Sequence, residues 1–181
     1  MKIKLFVLLS VLFSLVGCAT MMGDRTVNVT GEQIAQKLNE KLALPISLLK
    51  VFDVNLTNSL VTFDKTTGRM ITTMDTKLSS PLLNKSLAGQ LGISGKLRFD
   101  AATSSVVLDE PKIEKLNLMG ADNKYNDLLN ALASTVGGEI LNGLTLYTVK
   151  PDDLKFGDTT YSPKNMVVTD SGLQLTLSPK K

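Results

Sequence analysis

The sequence predicts an α+β fold, and three features of its hydrophobic pattern indicate this class. Two segments repeat apolar residues at spacings of three and four, the period of an amphipathic helix. Elsewhere apolar and polar residues alternate, the period of a half-buried strand. One alternating segment, Leu87 to Phe99, would cover about 40 Å, roughly twice the usual strand length. Because a strand that long is typical of a bent sheet, we expect a highly curved antiparallel β-sheet with helices against it.

The first 17 residues have the pattern of an export signal. Lys2 and Lys4 precede an apolar run from Leu5 to Val16 that only two serines interrupt. The run is much shorter than the roughly 20 residues of a permanent transmembrane helix. We therefore expect residues 1–17 to be removed as a signal peptide.

The evidence for lipidation is the segment at the end of this run, Leu15-Val16-Gly17-Cys18, which resembles the lipobox of bacterial lipoproteins. Cys18 is the only cysteine, so it has no disulfide partner within the chain in an oxidising envelope. Two acyl chains on this thiol would hold the protein firmly at a membrane. The alternative is an ordinary secretory signal with an incidental cysteine. By similarity to Gram-negative sorting rules, Ala19 in place of aspartate implies the outer membrane, with the protein facing the periplasm.

Charge and composition narrow the possible functions. Lys2 and Lys4 are two of the 20 basic residues, so the mature chain keeps 18 basic against 17 acidic residues. This near-neutral balance lacks the basic surface that nucleic-acid binding requires. The sequence contains no histidine, which excludes a Ser-His-Asp triad and most zinc sites.

No other residues stand at a spacing typical of catalysis. Serines, lysines and carboxylates are present without a distinguishing arrangement, and no glycine-rich phosphate loop occurs. The acidic pairs Asp109-Glu110 and Asp152-Asp153 lie beside prolines and are predicted to be solvated turns. We therefore expect a protein that is not an enzyme, with no catalytic residues, no metal and no cofactor.

The mature chain is predicted to consist of a lipidated tether, residues 18–25, and a single domain, residues 26–181. This length suits one domain with a substantial hydrophobic core. A strand from Thr26 to Val29 precedes a helix that begins with a capping box of Thr30 and Gln33. The apolar stripe of this helix comprises Ile34, Leu38 and Leu42, and Pro45 ends it.

The alternating region from Ile46 to Pro111 predicts a meander of antiparallel strands. The residues Phe63-Asp64 before one turn are echoed by Phe99-Asp100 before another, which indicates two hairpins of similar build. On the long strand, Gly89 and Gly95 share the apolar face and Gly92 lies on the polar one. The missing side chains suggest either a packing notch for a helix or a ligand channel.

A second helix is predicted from Asp122 to Leu141, about 30 Å long at 1.5 Å per residue. It contains Gly137-Gly138, which weakens a helix by about 1 kcal/mol per glycine, and Asn142-Gly143 would end it. A hairpin follows, with the turn Thr169 to Gly172 and a closing strand that alternates to Leu177.

These features together identify a resemblance to a known family. The lipobox, the capped first helix, the Phe99-Asp100 turn, the helix from Asp122 and the hairpin at Asp170-Ser171-Gly172-Leu173 resemble the YceB-like lipoproteins, envelope proteins without an assigned activity. That family is similar to the tubular lipid-binding superfamily. The resemblance covers nearly all of the mature chain and implies a curved sheet wrapped around a long α-helix, with an apolar groove for acyl chains.

The candidate binding residues follow from the long strand and the second helix. The groove would be lined by Leu91, Ile93, Leu97, Leu128, Leu132 and Val136. Such a protein would bind or handle a lipid or another hydrophobic ligand. In the alternative, the same side chains fill an ordinary core, and the protein is an envelope interaction or assembly lipoprotein. No pattern in the sequence identifies its protein partner.

Overall fold

The computed structural model describes residues 23–83, 86–120 and 126–180. The predicted signal peptide, Cys18 and most of the tether lie outside the described residues. The strands are β1 (Arg25–Thr30), β2 (Ile46–Leu48), β3 (Phe52–Asp64), β4 (Arg69–Ser79), β5 (Leu87–Asp100), β6 (Ser105–Leu118), β7 (Thr145–Thr148), β8 (Lys155–Phe156), β9 (Thr159–Thr169) and β10 (Gly172–Pro179). The helical elements are α1 (Gly31–Lys41), α2 (Asn126–Thr135), a π-helical segment (Val136–Leu141) and a 3₁₀ turn (Pro151–Leu154).

Two antiparallel sheets dominate the structure, so the predicted α+β fold, with one curved sheet around a long α-helix, is wrong. A six-stranded sheet has the order β2-β3-β4-β5-β6-β7, and a four-stranded sheet has the order β1-β10-β9-β8. The described residues contain no long α-helix, since α1 has 11 residues and α2 has 10. None of their helices is both long enough and apolar enough to cross a bilayer.

The second sheet exists because the first strand pairs with the last. Strands β9 and β10 form the predicted closing hairpin, which is confirmed. Strand β1 then pairs with the free edge of β10, with Arg25 opposite Leu177 and Thr30 opposite Gly172. Val29, Leu173 and Leu175 from this sheet are buried in the same core as the inner residues of the six-stranded sheet. Alternation predicts that a segment is a strand, but it contains no information about which other strand pairs with it.

The first helix forms as predicted. Its capping box is confirmed, because the Gln33 backbone N–H donates to the Thr30 hydroxyl at 3.3 Å and the Thr30 N–H donates to the Gln33 side-chain carbonyl at 2.9 Å. The stripe residues Ile34, Leu38 and Leu42 are buried. They pack into the core that both sheets share.

The two predicted hairpin turns are confirmed and use the same hydrogen bonds. Asp64 accepts from the Thr67 hydroxyl at 2.7 Å, and Asp100 accepts from the Thr103 hydroxyl at 2.8 Å. Backbone N–H groups also donate to both carboxylates. These bonds, above all those from the threonine hydroxyls, lower the pKa of Asp64 and of Asp100.

Strand β6 is continuous where the sequence suggested a break. Asp109 pairs with Lys96, and Glu110 lies in a bulge of β6 that shifts the pairing between Ser94 and Lys96, so the prediction of a turn at this acidic pair is wrong. Glu110 adopts a φ of 46° there. In a bulge, one strand contributes an extra residue that breaks the alternation of side chains, and regular pairing of the two strands continues on both sides. The other acidic pair does lie in a turn, the 3₁₀ turn.

The predicted second helix changes its type at the glycines. The first part of the predicted range, to residue 125, lies outside the described residues. After α2, the chain forms the π-helical segment that contains Gly137 and Gly138. Glycine weakens an α-helix, and π turns, which are rare, occur mostly as single turns within α-helices. The segment ends at Leu141, and Gly143 follows with a φ of 78°, as the predicted stop requires.

The glycine positions of β5 make room for a strand, and not for a helix. A Cβ atom on Gly89 would overlap the backbone carbonyl of Asn117 in β6. On Gly95 it would overlap the Leu108 side chain, also from β6. The expected helix notch is therefore wrong at these two positions, because the neighbouring strand occupies the space.

Candidate functional site

The candidate site is an apolar cleft between the inner face of the six-stranded sheet and the segment formed by α2 and the π helix. The inner face is the one that contributes side chains to the core. The cleft is lined by Val54, Thr76, Leu78, Leu91, Leu116, Leu118, Leu129 and Val136. None of these side chains is titratable.

The sheet side of the cleft is set by the strand register. Leu91 lies opposite Leu116, and Gly89 lies between Thr76 on β4 and Leu118 on β6. Adjacent strands are about 4.8 Å apart, so the side chains from β3 to β6 form one continuous wall. On the helical side Leu129 and Val136 are seven residues apart, about two turns, and so share a face.

Strand β4 places two polar side chains in this apolar setting. Its inner face alternates Met70, Thr72, Met74, Thr76 and Leu78, all of them buried. Thr72 is 2% exposed and Thr76 is 6% exposed, and neither hydroxyl has a hydrogen-bond partner in the described structure. An unpaired buried hydroxyl costs about 1–3 kcal/mol. Of the two threonines, Thr76 lines the cleft.

The cleft is nearly closed in this conformation. The space that the centre of a water molecule can reach is about 30 Å³. A cavity needs roughly 10–15 Å³ by this measure to hold one water molecule. The cleft thus has room for about two waters, and an acyl chain would need the α2 and π segment to move outward.

The six predicted binding residues do not all meet at this cleft. Leu91 and Val136 line it. Ile93 is buried elsewhere in the core, and Leu97 is a half-buried residue packed against that core. Leu97 is six residues beyond Leu91, about 20 Å along the strand. Leu128 and Leu132 belong to α2, and their side chains lie outside the described residues.

The sequence did not indicate most of the residues that line the cleft. Leu116 and Leu118 lie in a segment whose alternation is interrupted by the β6 bulge, which hid their shared face. Leu78 and Leu129 lie in a predicted strand and in the predicted second helix, but only the packing of the helical segment against the sheet places them at the cleft. Nothing in the sequence marked Thr76 as a lining residue, because a threonine in an alternating strand is expected on the solvent-exposed face of the sheet.

The described residues offer no candidate metal site. Among them, no group of three or more histidine, cysteine, aspartate or glutamate side chains is arranged to hold a metal ion. Burial, with the nearby Asp153 carboxylate, raises the pKa of Tyr147. This tyrosine does not line the cleft.

Comparison with known proteins identifies the family of the chain. No curated protein matches the chain. A family model described as "Protein of unknown function (DUF1439)" matches residues 29–171. The matched region covers most of the chain, from the end of β1 to the β9–β10 turn, and includes the whole lining of the cleft. The chain therefore belongs to the DUF1439 family of proteins of unknown function.

Proposed function

We propose that this protein is a lipoprotein, anchored through Cys18 in the outer membrane and facing the periplasm, that binds or handles acyl chains in its apolar cleft. The observation that carries the proposal is the cleft lining, in which every side chain except Thr76 is hydrocarbon. Covering apolar surface is worth roughly 25 cal/mol per Å². The resemblance of the sequence to the YceB-like lipoproteins, and through them to the tubular lipid-binding superfamily, supports the same function.

Access to the cleft requires the α2 and π segment to move, and the segment is loosely packed at its two glycines. An open groove separates this segment from Ile113 and its neighbours on β6. A Cβ on Gly138 would meet no atom within 4 Å, and one on Gly137 would meet only the Ile113 side chain. The two glycines therefore add no side-chain packing of their own, whereas Val136 and Leu141 of the same segment are buried in the core.

Uptake of a fluorescent fatty acid tests the proposal. We expect the mature chain carrying Cys18→Ser to bind the probe and to release lipid when extracted with organic solvent and examined by mass spectrometry. Leu116→Trp should reduce binding at least tenfold, because the larger ring fills a cleft with space for about two waters. Leu60→Trp is the matched control, since Leu60 is 66% exposed and outside the cleft.

Two results would count against lipid binding. One is a parent protein that contains no lipid and takes up no probe. The other is a Leu116→Trp variant that binds the probe as tightly as Leu60→Trp does.

The Thr76 hydroxyl gives a second prediction, with Thr72 as its matched control. Thr76→Val and Thr72→Val should each stabilise the free protein by about 1 kcal/mol in urea unfolding, because each removes an unpaired buried hydroxyl. Only Thr76→Val should weaken probe binding, by about three- to tenfold, because the Thr76 hydroxyl would donate to a carbonyl oxygen of the ligand. Equal affinities of the two variants would exclude this role for Thr76.

The small volume of the cleft favours a second candidate function. If α2 and the π helix simply fill the sheet, the protein is a non-enzymatic interaction or assembly lipoprotein with an ordinary core. Crosslinking in whole cells would then capture one stoichiometric protein partner, while the purified protein would bind no lipid. A protein that binds the probe and gives no crosslinked partner would exclude this alternative.

A further inference from the structure

We propose that the free edge of β6 binds an extended, acidic segment of another protein, which joins the six-stranded sheet as an additional strand. The binding surface is the edge groove, which we define as residues 111–116 of β6 together with Asn130, Ser134, Gly137 and Gly138 of the α2 and π segment. The inference goes beyond lipid binding, because it requires neither an occupied cleft nor a lipid anchor.

Strand β6 is paired along its whole length on one side only. On that side lies β5, whereas on the other side β7 pairs only with residues 105–107. Leu108 then donates to the Leu144 carbonyl at 2.9 Å and accepts from the Gly143 N–H at 2.8 Å. Beyond this point no described strand pairs with the second side of β6. The edge is therefore free over residues 109–118, roughly 30 Å of strand.

The pairing with β5 determines which backbone groups point to the free edge. The Met119 N–H donates to the Ala88 carbonyl at 2.8 Å, so the backbone of Met119 faces β5. In an antiparallel pair, successive residues direct their N–H and C=O groups to opposite sides. Leu116 and Leu118 therefore direct theirs away from β5, as Leu108 does. In the described structure, no other backbone group pairs with them there.

The edge groove gives a peptide room beside these groups. The space in it that the centre of a water molecule can reach is about 680 Å³, compared with about 30 Å³ in the cleft. Its helical wall consists of Asn130, Ser134, Gly137 and Gly138, none of which has a large side chain. A Cβ atom on Gly138 would meet nothing within 4 Å. An added strand would thus fit while the α2 and π segment stays in place.

Strand addition is a mode of recognition that suits this combination of features. An extended peptide that joins a sheet edge gains affinity from main-chain hydrogen bonds, and its alternate side chains give specificity. On the sheet side of the groove, Ile113 and Leu116 are partly buried apolar residues. Because side chains directly opposite each other on paired strands are in contact, we expect apolar residues at the peptide positions opposite these two.

The residues of the edge argue against a second copy of this chain as the occupant. An antiparallel pairing of β6 with itself, centred on residues 113–114, would place Lys112 opposite Lys115 of the other copy. Like charges at opposed positions destabilise a strand pair. Pro111 has no N–H to donate, and prolines, lysines and bulges are typical of edges that avoid self-association. A strand from a different protein meets no such repulsion.

Charge favours an acidic segment. Lys112 and Lys115 are exposed, and neither takes part in an ion pair or hydrogen bond in the described structure. The groove lining contains these two lysines against one acid, Glu114, a net charge of +1. Glu114 already accepts from the Ser94 hydroxyl, to which Arg69 also donates at 3.1 Å. The two acids that precede the groove in β6 are paired with cations of β5.

Selection from random peptides tests this inference. A phage-displayed library of random ten-residue peptides would be selected against the mature chain carrying Cys18→Ser, after removal of phage that bind the Gly138→Trp variant. The indole ring of that variant would occupy the edge groove. We expect the enriched peptides to alternate apolar and polar residues and to contain more aspartate and glutamate than the starting library. A selection that enriches no peptide overturns the inference.

The affinity of one enriched peptide, labelled with fluorescein and measured by anisotropy, gives the contribution of the lysines. Lys112→Glu combined with Lys115→Glu should weaken binding about five- to tenfold, because two favourable charge contacts become repulsive. Lys77→Glu combined with Lys155→Glu is the matched control, since it changes the net charge equally at exposed lysines outside the groove. Equal losses in the two double variants would contradict a role for the groove lysines.

Hydrogen exchange followed by NMR distinguishes strand addition from other modes of binding. The peptide should slow the exchange of the Leu116 and Leu118 N–H groups at least about tenfold, because they become hydrogen-bonded to it. The Asn117 N–H faces β5 and serves as the internal control. A peptide that binds without protecting Leu116 and Leu118 overturns the inference. So does a free protein that sediments as a dimer and already protects them.

These measurements are independent of the proposed function. A protein that binds the peptide at the edge groove and takes up no fatty acid would keep this inference and reject the lipid-binding cleft. Fatty-acid uptake by a protein that enriches no peptide would have the opposite meaning.

Discussion

Replacing Cys18 with serine is expected to move the protein from the membrane fraction to the soluble fraction. A serine hydroxyl would not replace the Cys18 thiol as acceptor of a diacylglyceryl group, so both acyl chains of the proposed anchor would be lost. Each methylene buried in a bilayer contributes about 0.8 kcal/mol, and two chains together make a stable anchor. Fractionation and labelling with radioactive palmitate measure the two consequences directly.

The matched control for this experiment is Thr20→Ser, which changes the tether and leaves the predicted lipobox Leu15-Val16-Gly17-Cys18 intact. This variant should keep both the label and the membrane location. A membrane-bound pool that survives washing unchanged, in a protein that never incorporated palmitate, would contradict the lipid anchor.

Gly89→Ala is expected to cause the largest loss of folding stability among the glycine substitutions in β5. The new Cβ would overlap the backbone carbonyl of Asn117, and the paired backbone of β6 cannot yield as a flexible side chain could. Overpacking of this kind usually costs about 1–3 kcal/mol, and a clash with backbone lies at the upper end of that range or beyond it. Urea unfolding followed by circular dichroism gives the change in free energy.

Gly138→Ala is the matched control, because the same added methyl meets no atom within 4 Å. In the π-helical segment it should stabilise the protein by roughly 0.5–1 kcal/mol, since glycine loses more backbone entropy on folding than alanine. If the two variants unfold at the same urea concentration, β5 and β6 do not approach each other as closely as the structure shows.

The result for Gly89 also bears on the candidate site. Gly89 is paired with Thr76 on one side and with Leu118 on the other, and both of these residues line the cleft. A shift of β6 to relieve the clash would move Leu116 and Leu118 relative to Leu91. We therefore expect Gly89→Ala to alter fatty-acid uptake even at temperatures where the protein remains folded.

The candidate site was only partly predictable from the sequence. Leu91 and Val136 were chosen because they belong to the longest strand and to the second helix, and both line the cleft. Leu97 was chosen on the same strand parity but lies about 20 Å away, because a long strand extends well beyond one cleft. Thr76 could not have been chosen, since its burial depends on the neighbours that the sheet and the helical segment provide.

Local chemistry in the sequence determined the elements themselves. The Thr30 and Gln33 capping box, the Asp64 and Asp100 turns and the alternation from Leu87 to Phe99 each depend on residues close together in the chain. Hydrogen bonds and side-chain period at short range are enough to specify them.

Only the tertiary structure decided how these elements combine. The pairing of β1 with β10 joins residues about 150 positions apart and creates the second sheet that the alternation pattern could not reveal. Likewise, the close approach of β6 to Gly89 and the π turn around Gly137 and Gly138 became apparent only with the neighbouring elements in place. Strand pairing and cleft volume depend on burial shared between distant residues, which the periodicity of one segment does not record.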